Sequence, residues 1–172
     1  MASFPQLNEE DFQRFTAALN DLLSKSEAST AMIVEKAGYL IHQNGDTGGF
    51  DATTVATLAS NAFNATQFLT TLINENNFSG MYQQGENFST LILNVDENCL
   101  LVIVFKAQLS VGMVKYYAGA TIAELSSQLQ IAQAREPGAG LDIIDLNPSD
   151  IGELFRRKRP AAADGATEAP AG

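Results

Sequence analysis

Between Asp51 and Glu75 the chain runs for 23 residues without one Asp, Glu, Lys or Arg. Val55, Leu58, Ala62, Leu69, Leu72 and Ile73 recur there at helical spacing, and Asp51 is placed to cap the helix they predict. Eleven polar residues in the run, among them Asn61, Asn64 and Gln67, exclude a membrane span. A solvated surface helix carries charges on its outer face. A helix with no charge on any face is therefore expected to be covered twice, by its own sheet and by another protein. The alternative is a central helix buried in one large core, which a chain of 172 residues rarely builds around a helix.

The flanking segments supply the sheet. Phe12, Phe15, Leu19, Leu22 and Leu23 predict an amphipathic helix over residues 9–25, with Asn8 as its cap and acids in its first turn. Residues 31–35 and 39–43 read as a hairpin around a Gly38 turn, and residues 44–50 as a loop. Residues 78–84 and 88–96 read as strands, and Glu97-Asn98 as a hairpin turn. Residues 99–106 follow as a strand whose continuous apolar run implies burial on both faces. A last helix carries Val111, Val114, Ala118, Ile122, Leu125, Leu129 and Ala132 on one stripe. The expected class is α/β (α+β), in the order α-β-β-α-β-β-β-α, with a five-stranded mainly antiparallel sheet and helices on its faces.

Residues 1–135 are expected to form one domain and residues 136–140, rich in Pro and Gly, a linker. Residues 141–159 read as a short helical motif. Asn147 is its cap, Pro148 its first helical position, and Ile151, Leu154 and Phe155 share one face. The basic run 156–159 ends it. That run complements the helix dipole, although it could also be read as a nuclear-localisation or lipid signal. Residues 160–172 are low-complexity and predicted to be disordered.

A net charge of −10 leaves no basic surface for nucleic acid or anionic lipid, so neither is an expected partner. No segment is long and apolar enough to insert in a membrane, and the amino terminus has no signal-like apolar block. Cys99, the single cysteine, cannot form an internal disulfide, which fits a reducing cytoplasm. With His42 as the single histidine, no nucleophile–base constellation or zinc spacing can be assembled, and no cofactor is expected. His42 reads as structural and Cys99 as a small core hydrophobe. Gly80 to Gly85 has the glycine spacing of a phosphate-binding loop. Glu86 and Asn87 follow where Lys and Ser or Thr would have to stand, so it reads as a turn.

The element order, with Ile33-Val-Glu-Lys-Ala-Gly-Tyr-Leu-Ile41 as first hairpin, resembles the Roadblock (dynein light-chain type) family. Val55-Ala-Thr-Leu58, Ala65-Thr-Gln67, Leu72-Ile73, the 75–78 turn, Gln84-Gly-Glu86, Leu101-Val-Ile-Val-Phe105, Val111-Gly-Met-Val-Lys115 and Ala123-Glu-Leu125 carry the likeness. Within the family they resemble the bacterial MglB group, partners of the Ras-like GTPase MglA. Asp150-Ile-Gly-Glu-Leu-Phe155 is similar to the short helical motif ending some of its members.

The resemblance implies a cytoplasmic homodimer, its central helices paired and its sheets joined edge to edge, presenting a platform to one GTPase. It implies a non-enzymatic regulator that stimulates GTP hydrolysis without an arginine finger, and in some members tunes nucleotide exchange, in cell polarity and gliding motility. Thr57, Asn61, Asn64, Phe68 and Thr71 lie on the stripe opposite Leu58 and Leu69, the stripe the resemblance assigns to the partner. The family usually has a Gly-Asn pair and alanines in this helix, so the bulk of Asn61, Phe63, Asn64 and Phe68 implies a complementary change in the GTPase. Leu146, Ile151, Leu154 and Phe155 are expected to contact the partner as well, or else to fold back as a lid. A scaffold without GTPase-activating effect is the alternative function. A sensor holding a small ligand between sheet and helix is the third class.

Overall fold

The computed structural model describes residues 4–135; residues 1–3 and 136–172 lie outside the described residues. The expected linker, helical motif and tail, with Leu146, Ile151, Leu154 and Phe155, therefore fall beyond them. The order is α1 (Glu9–Ser26), β1 (Thr30–Glu35), β2 (Leu40–Gly45), α2 (Ala52–Leu72), β3 (Gly80–Gln83), β4 (Phe88–Asn94), β5 (Cys99–Lys106) and α3 (Val111–Ala134). The strands form one antiparallel sheet in the order β2-β1-β5-β4-β3. This is the Roadblock-type arrangement read from the sequence.

Each helix starts where a side chain can satisfy its first free N–H groups. The Asn8 side chain accepts from the Asp11 N–H at 3.0 Å, and the Asp11 carboxylate accepts from the Asn8 N–H at 2.8 Å, a reciprocal capping box. Asp51 accepts from the N–H groups of Thr53 and Thr54 to open α2, and Ser110 accepts from that of Met113 to open α3. Glu27, in the left-handed region at φ 58°, ends α1.

Strand β5 sits in the middle of the sheet, and its side chains alternate between two cores. Cys99, Leu101, Ile103 and Phe105 face α1 and α3, where Phe15, Leu19, Leu22, Val114, Ala118, Leu125 and Leu129 are buried. Leu100, Val102 and Val104 face α2, where Ala52, Ala56, Ala59 and Phe63 are buried. One face of the sheet thus carries two helices and the other carries one. Expected strand 78–84 is shorter than read: Phe78 precedes β3 and packs its ring on Phe63 at 4.9 Å. Expected loop 44–50 starts later, because β2 continues to Gly45.

Candidate partner-binding surface

The reactive residue types are occupied structurally. His42 Nε2 lies 2.8 Å from the Thr16 hydroxyl and its ring packs on Phe12; burial pushes its pKa below the usual value. Cys99 is buried, and burial drives its thiol far above the usual range, so no thiolate is available there. Among the described residues no three His, Cys, Asp or Glu side chains could hold a metal ion together. Both glycines of the 80–85 decoy are required by packing. A Cβ on Gly80 would lie 2.7 Å from the Ile92 carbonyl, and one on Gly85 would overlap the Phe88 carbonyl. A groove of about 680 Å³ runs along α1 and α3, lined by Glu10, Arg14, Glu124, Ser127, Ile131 and Arg135. Its lining also includes the buried Phe15, Ala18, Leu125 and Gln128.

Helix α2 is the feature left unexplained by the fold alone. Ala52, Ala56, Ala59, Ser60, Phe63 and Thr70 face the sheet, and Val55 is partly covered beside them. Leu58, Leu69, Leu72 and Ile73, expected on one stripe with Val55 and opposite the partner face, are 55–69% exposed. The small alanines let the helix backbone approach the sheet closely, and Phe63 fills the remaining gap. Two apolar stripes therefore run along one charge-free helix, and only the small-residue stripe is used internally.

The exposed residues divide into two flanks. Thr57, Asn61, Asn64, Phe68 and Thr71 are all exposed. Asn64 Nδ2 donates to the Lys36 carbonyl at 3.0 Å, and the Thr57 hydroxyl lies 3.0 Å from the Gly38 carbonyl, so this flank leans on the β1–β2 turn. Leu58, Ala62 and Leu69 lie on the other flank by helical rotation. Thr66, beside them, reaches Met81 of β3. Strand β3 is an edge strand. Phe88, 56% exposed, shares the α2 face of the sheet with Ile92 by strand alternation. Leu58 and Leu69 are thus exposed on the flank of α2 that Thr66 ties to Met81 of the edge strand, and Phe88 is exposed on the same face of the sheet. No described helix is long and apolar enough to cross a membrane, so this surface is not a lipid-spanning one.

The family model of the Roadblock/LC7 domain matches residues 15–105. The chain belongs to the Roadblock/LC7 family. Among solved structures, Myxococcus xanthus MglB is similar at 27% identity and a TM-score of 0.69, over 76% of this chain and 98% of that one. The gliding protein MglB of Thermus thermophilus shares the fold at 24% identity and a TM-score of 0.68, over 74% and 97%. A Roadblock/LC7 domain from Streptomyces avermitilis does so at 11% identity and a TM-score of 0.61, over 66% and 96%. No curated protein sequence matches the chain. The Roadblock match begins at Phe15 and ends at Phe105, so it spans the hairpin, α2 and the sheet that frames it.

Two supports lying beneath this surface leave no signal in the sequence. Ser60 reads as one more polar residue of α2, yet its hydroxyl donates to the Lys36 carbonyl at 2.5 Å. Lys36 itself donates through Nζ to the Asp96 carbonyl and lies over the Phe63 ring. Contacts from α2 to the β1–β2 turn, and from that turn to the 95–98 turn, leave no periodic trace.

Proposed function

We propose that this Roadblock/LC7 protein is a cytoplasmic homodimeric regulator of an MglA-like, Ras-like small GTPase, acting in bacterial cell polarity or gliding motility. The observation that carries the reading is α2: free of charge, with Leu58, Phe68, Leu69, Leu72 and the adjoining Ile73 turned outward. Leaving Leu58, Leu69, Leu72 and Ile73 of one helix in water would expose a large apolar surface, which monomers avoid. A second copy of the chain, bringing its own α2 and β3 against that surface, covers it and extends the sheet across the two-fold axis. Thr57, Asn61, Asn64, Phe68 and Thr71 then remain outward as the GTPase-facing platform, with Leu146, Ile151, Leu154 and Phe155 as a second contact.

Because α2 carries no Lys or Arg, the platform offers no guanidinium to the charge developing on a transferred phosphoryl group. Stimulation would have to act by holding the GTPase's own switch residues in the hydrolytic arrangement. The experiment is GTP hydrolysis by the MglA-like GTPase of the same organism with and without this protein. Acceleration supports the regulator; binding without acceleration makes it a scaffold, a reading that the bulk of Phe68 on the platform favours. No binding to either nucleotide state overturns both.

A further inference from the structure

Tyr39 is 69% exposed, yet it stands on a turn fastened from two sides. The Lys36 carbonyl accepts from Ser60 Oγ at 2.5 Å and from Asn64 Nδ2 at 3.0 Å, and the Gly38 carbonyl lies 3.0 Å from the Thr57 hydroxyl. Behind the turn, the Lys36 N–H donates to the Asn98 carbonyl and its Nζ to the Asp96 carbonyl. Gly38 takes φ +105°, and a Cβ there would sit 3.6 Å from the Thr57 Cα, so the turn rests directly on the α2 backbone. The Tyr39 carbonyl closes the turn by accepting from the Glu35 N–H at 2.8 Å. None of this uses the Tyr39 ring. Its hydroxyl has no hydrogen-bond partner among the described residues, and the turn would close equally well with a polar residue in its place.

We propose that Tyr39 is a specificity-determining contact for the GTPase, extending the α2 platform onto the β1–β2 turn; this rests on the reading of α2 given above. Three arguments place it there. The turn is fastened by Thr57 and Asn64, two residues of the platform itself, so the ring is continuous with that surface. It lies on the flank of α2 away from Leu58 and Leu69, so a second copy of the chain seated against β3 does not cover it. A fastened turn leaves only the two torsions of the Tyr39 side chain to be fixed on binding, and tyrosine is a residue type in which binding energy concentrates. The occupant is therefore the GTPase, which must present an apolar recess with a polar rim opposite the ring.

The test uses full-length protein and the MglA-like GTPase of the same organism, loaded with a non-hydrolysable GTP analogue and followed by fluorescence anisotropy. Tyr39→Ala should weaken binding about tenfold or more, with the dimer mass and melting temperature unchanged, and Tyr39→Phe should retain most of the affinity. If Tyr39→Ala binds like the wild type while Phe68→Arg abolishes binding, the Tyr39 assignment is overturned and the α2 reading stands. If both variants bind like the wild type, the α2 reading fails and this one fails with it.

Discussion

The carboxylate of Asp11, in the first turn of α1, is gripped edge-on by the guanidinium of Arg135 just past the end of α3, with Nη2–Oδ1 at 2.5 Å and Nη1–Oδ2 at 2.7 Å. Gln128 Nε2 donates to the same carboxylate at 2.7 Å and the Asn8 N–H at 2.8 Å. Asp11 is fully buried, and this ring of donors ties the two helices of one sheet face together across 124 residues of chain.

The Arg135 guanidinium, ahead of the opposing cost of burial, holds the Asp11 carboxyl down at about 2. A carboxylate with a lowered folded-state pKa stabilises the fold above its unfolded value, near 3.8, and loses that stabilisation as pH falls toward 2. Wild-type melting temperature should therefore drop between pH 4 and pH 2, and Asp11→Asn should flatten that part of the profile. Arg135→Ala leaves a buried carboxylate one partner short and should lower the melting temperature at pH 7. A flat acid limb in the wild type, followed by circular dichroism, would remove the argument.

The outward leucines make a separate prediction. Leu58→Asp with Leu69→Asp should leave the secondary structure unchanged, because neither side chain is in the core. It should convert a dimer of the 18.4 kDa chain to a monomer in light scattering. Phe63→Ala, by contrast, empties a site with no exposure and should destabilise the fold by about 3–5 kcal/mol. A wild type that is already a monodisperse monomer at micromolar concentration would contradict the dimer.

These two α2 variants also mark where sequence reasoning stopped. Strand β5 and the caps Asn8 and Asp51 were legible because continuous apolar runs and capping side chains are local signals. The roll of α2 was not. On an ordinary surface helix the charged residues show which stripe faces water, but here both stripes are uncharged. The larger residues Leu58 and Leu69 then outweigh Ala52, Ala56 and Ala59 in any estimate of apolar area. What decides the roll is how closely a helix can approach a sheet, and that depends on β1 and β5, far away in sequence. The Asp11–Arg135 pair was hidden for the same reason: Asp11 looked like one more first-turn acid, and its partner is on another helix. Thr57 and Asn64 were legible as outward residues but not as the residues that fasten the hairpin turn.

That double duty shapes the platform prediction. Asn64→Arg both adds charge and removes the hydrogen bond to the Lys36 carbonyl, so its effect mixes two causes. Phe68, 67% exposed, is the cleaner site. A charge placed at a desolvated interface centre has no counter-ion and costs on the order of 2–5 kcal/mol, enough to reduce binding a hundredfold. Phe68→Arg should abolish stimulation of the GTPase while leaving dimer mass and circular dichroism as in the wild type. Normal stimulation by this variant would mean that the GTPase reads another face.

The carboxyl-terminal residues give the last prediction. Leu146, Ile151, Leu154 and Phe155 are too apolar to be left in water, and they follow a Pro- and Gly-rich stretch outside the periodic elements of the domain. The spacing of the last three is the one expected of residues that would share a face of a short helix lying in a partner's groove. A helix of so few residues would need a docking surface to be stable. Ending the chain at Arg135 would place a new carboxylate beside Asp11 and disturb the α1–α3 clasp, so the informative truncation keeps residues 1–140. If the segment engages the GTPase, this shorter protein should keep the wild-type melting temperature within a degree or two, while its affinity for the GTPase, or its effect on nucleotide exchange, falls. A many-degree loss of melting temperature with unchanged affinity would assign the segment to the fold of its own chain instead.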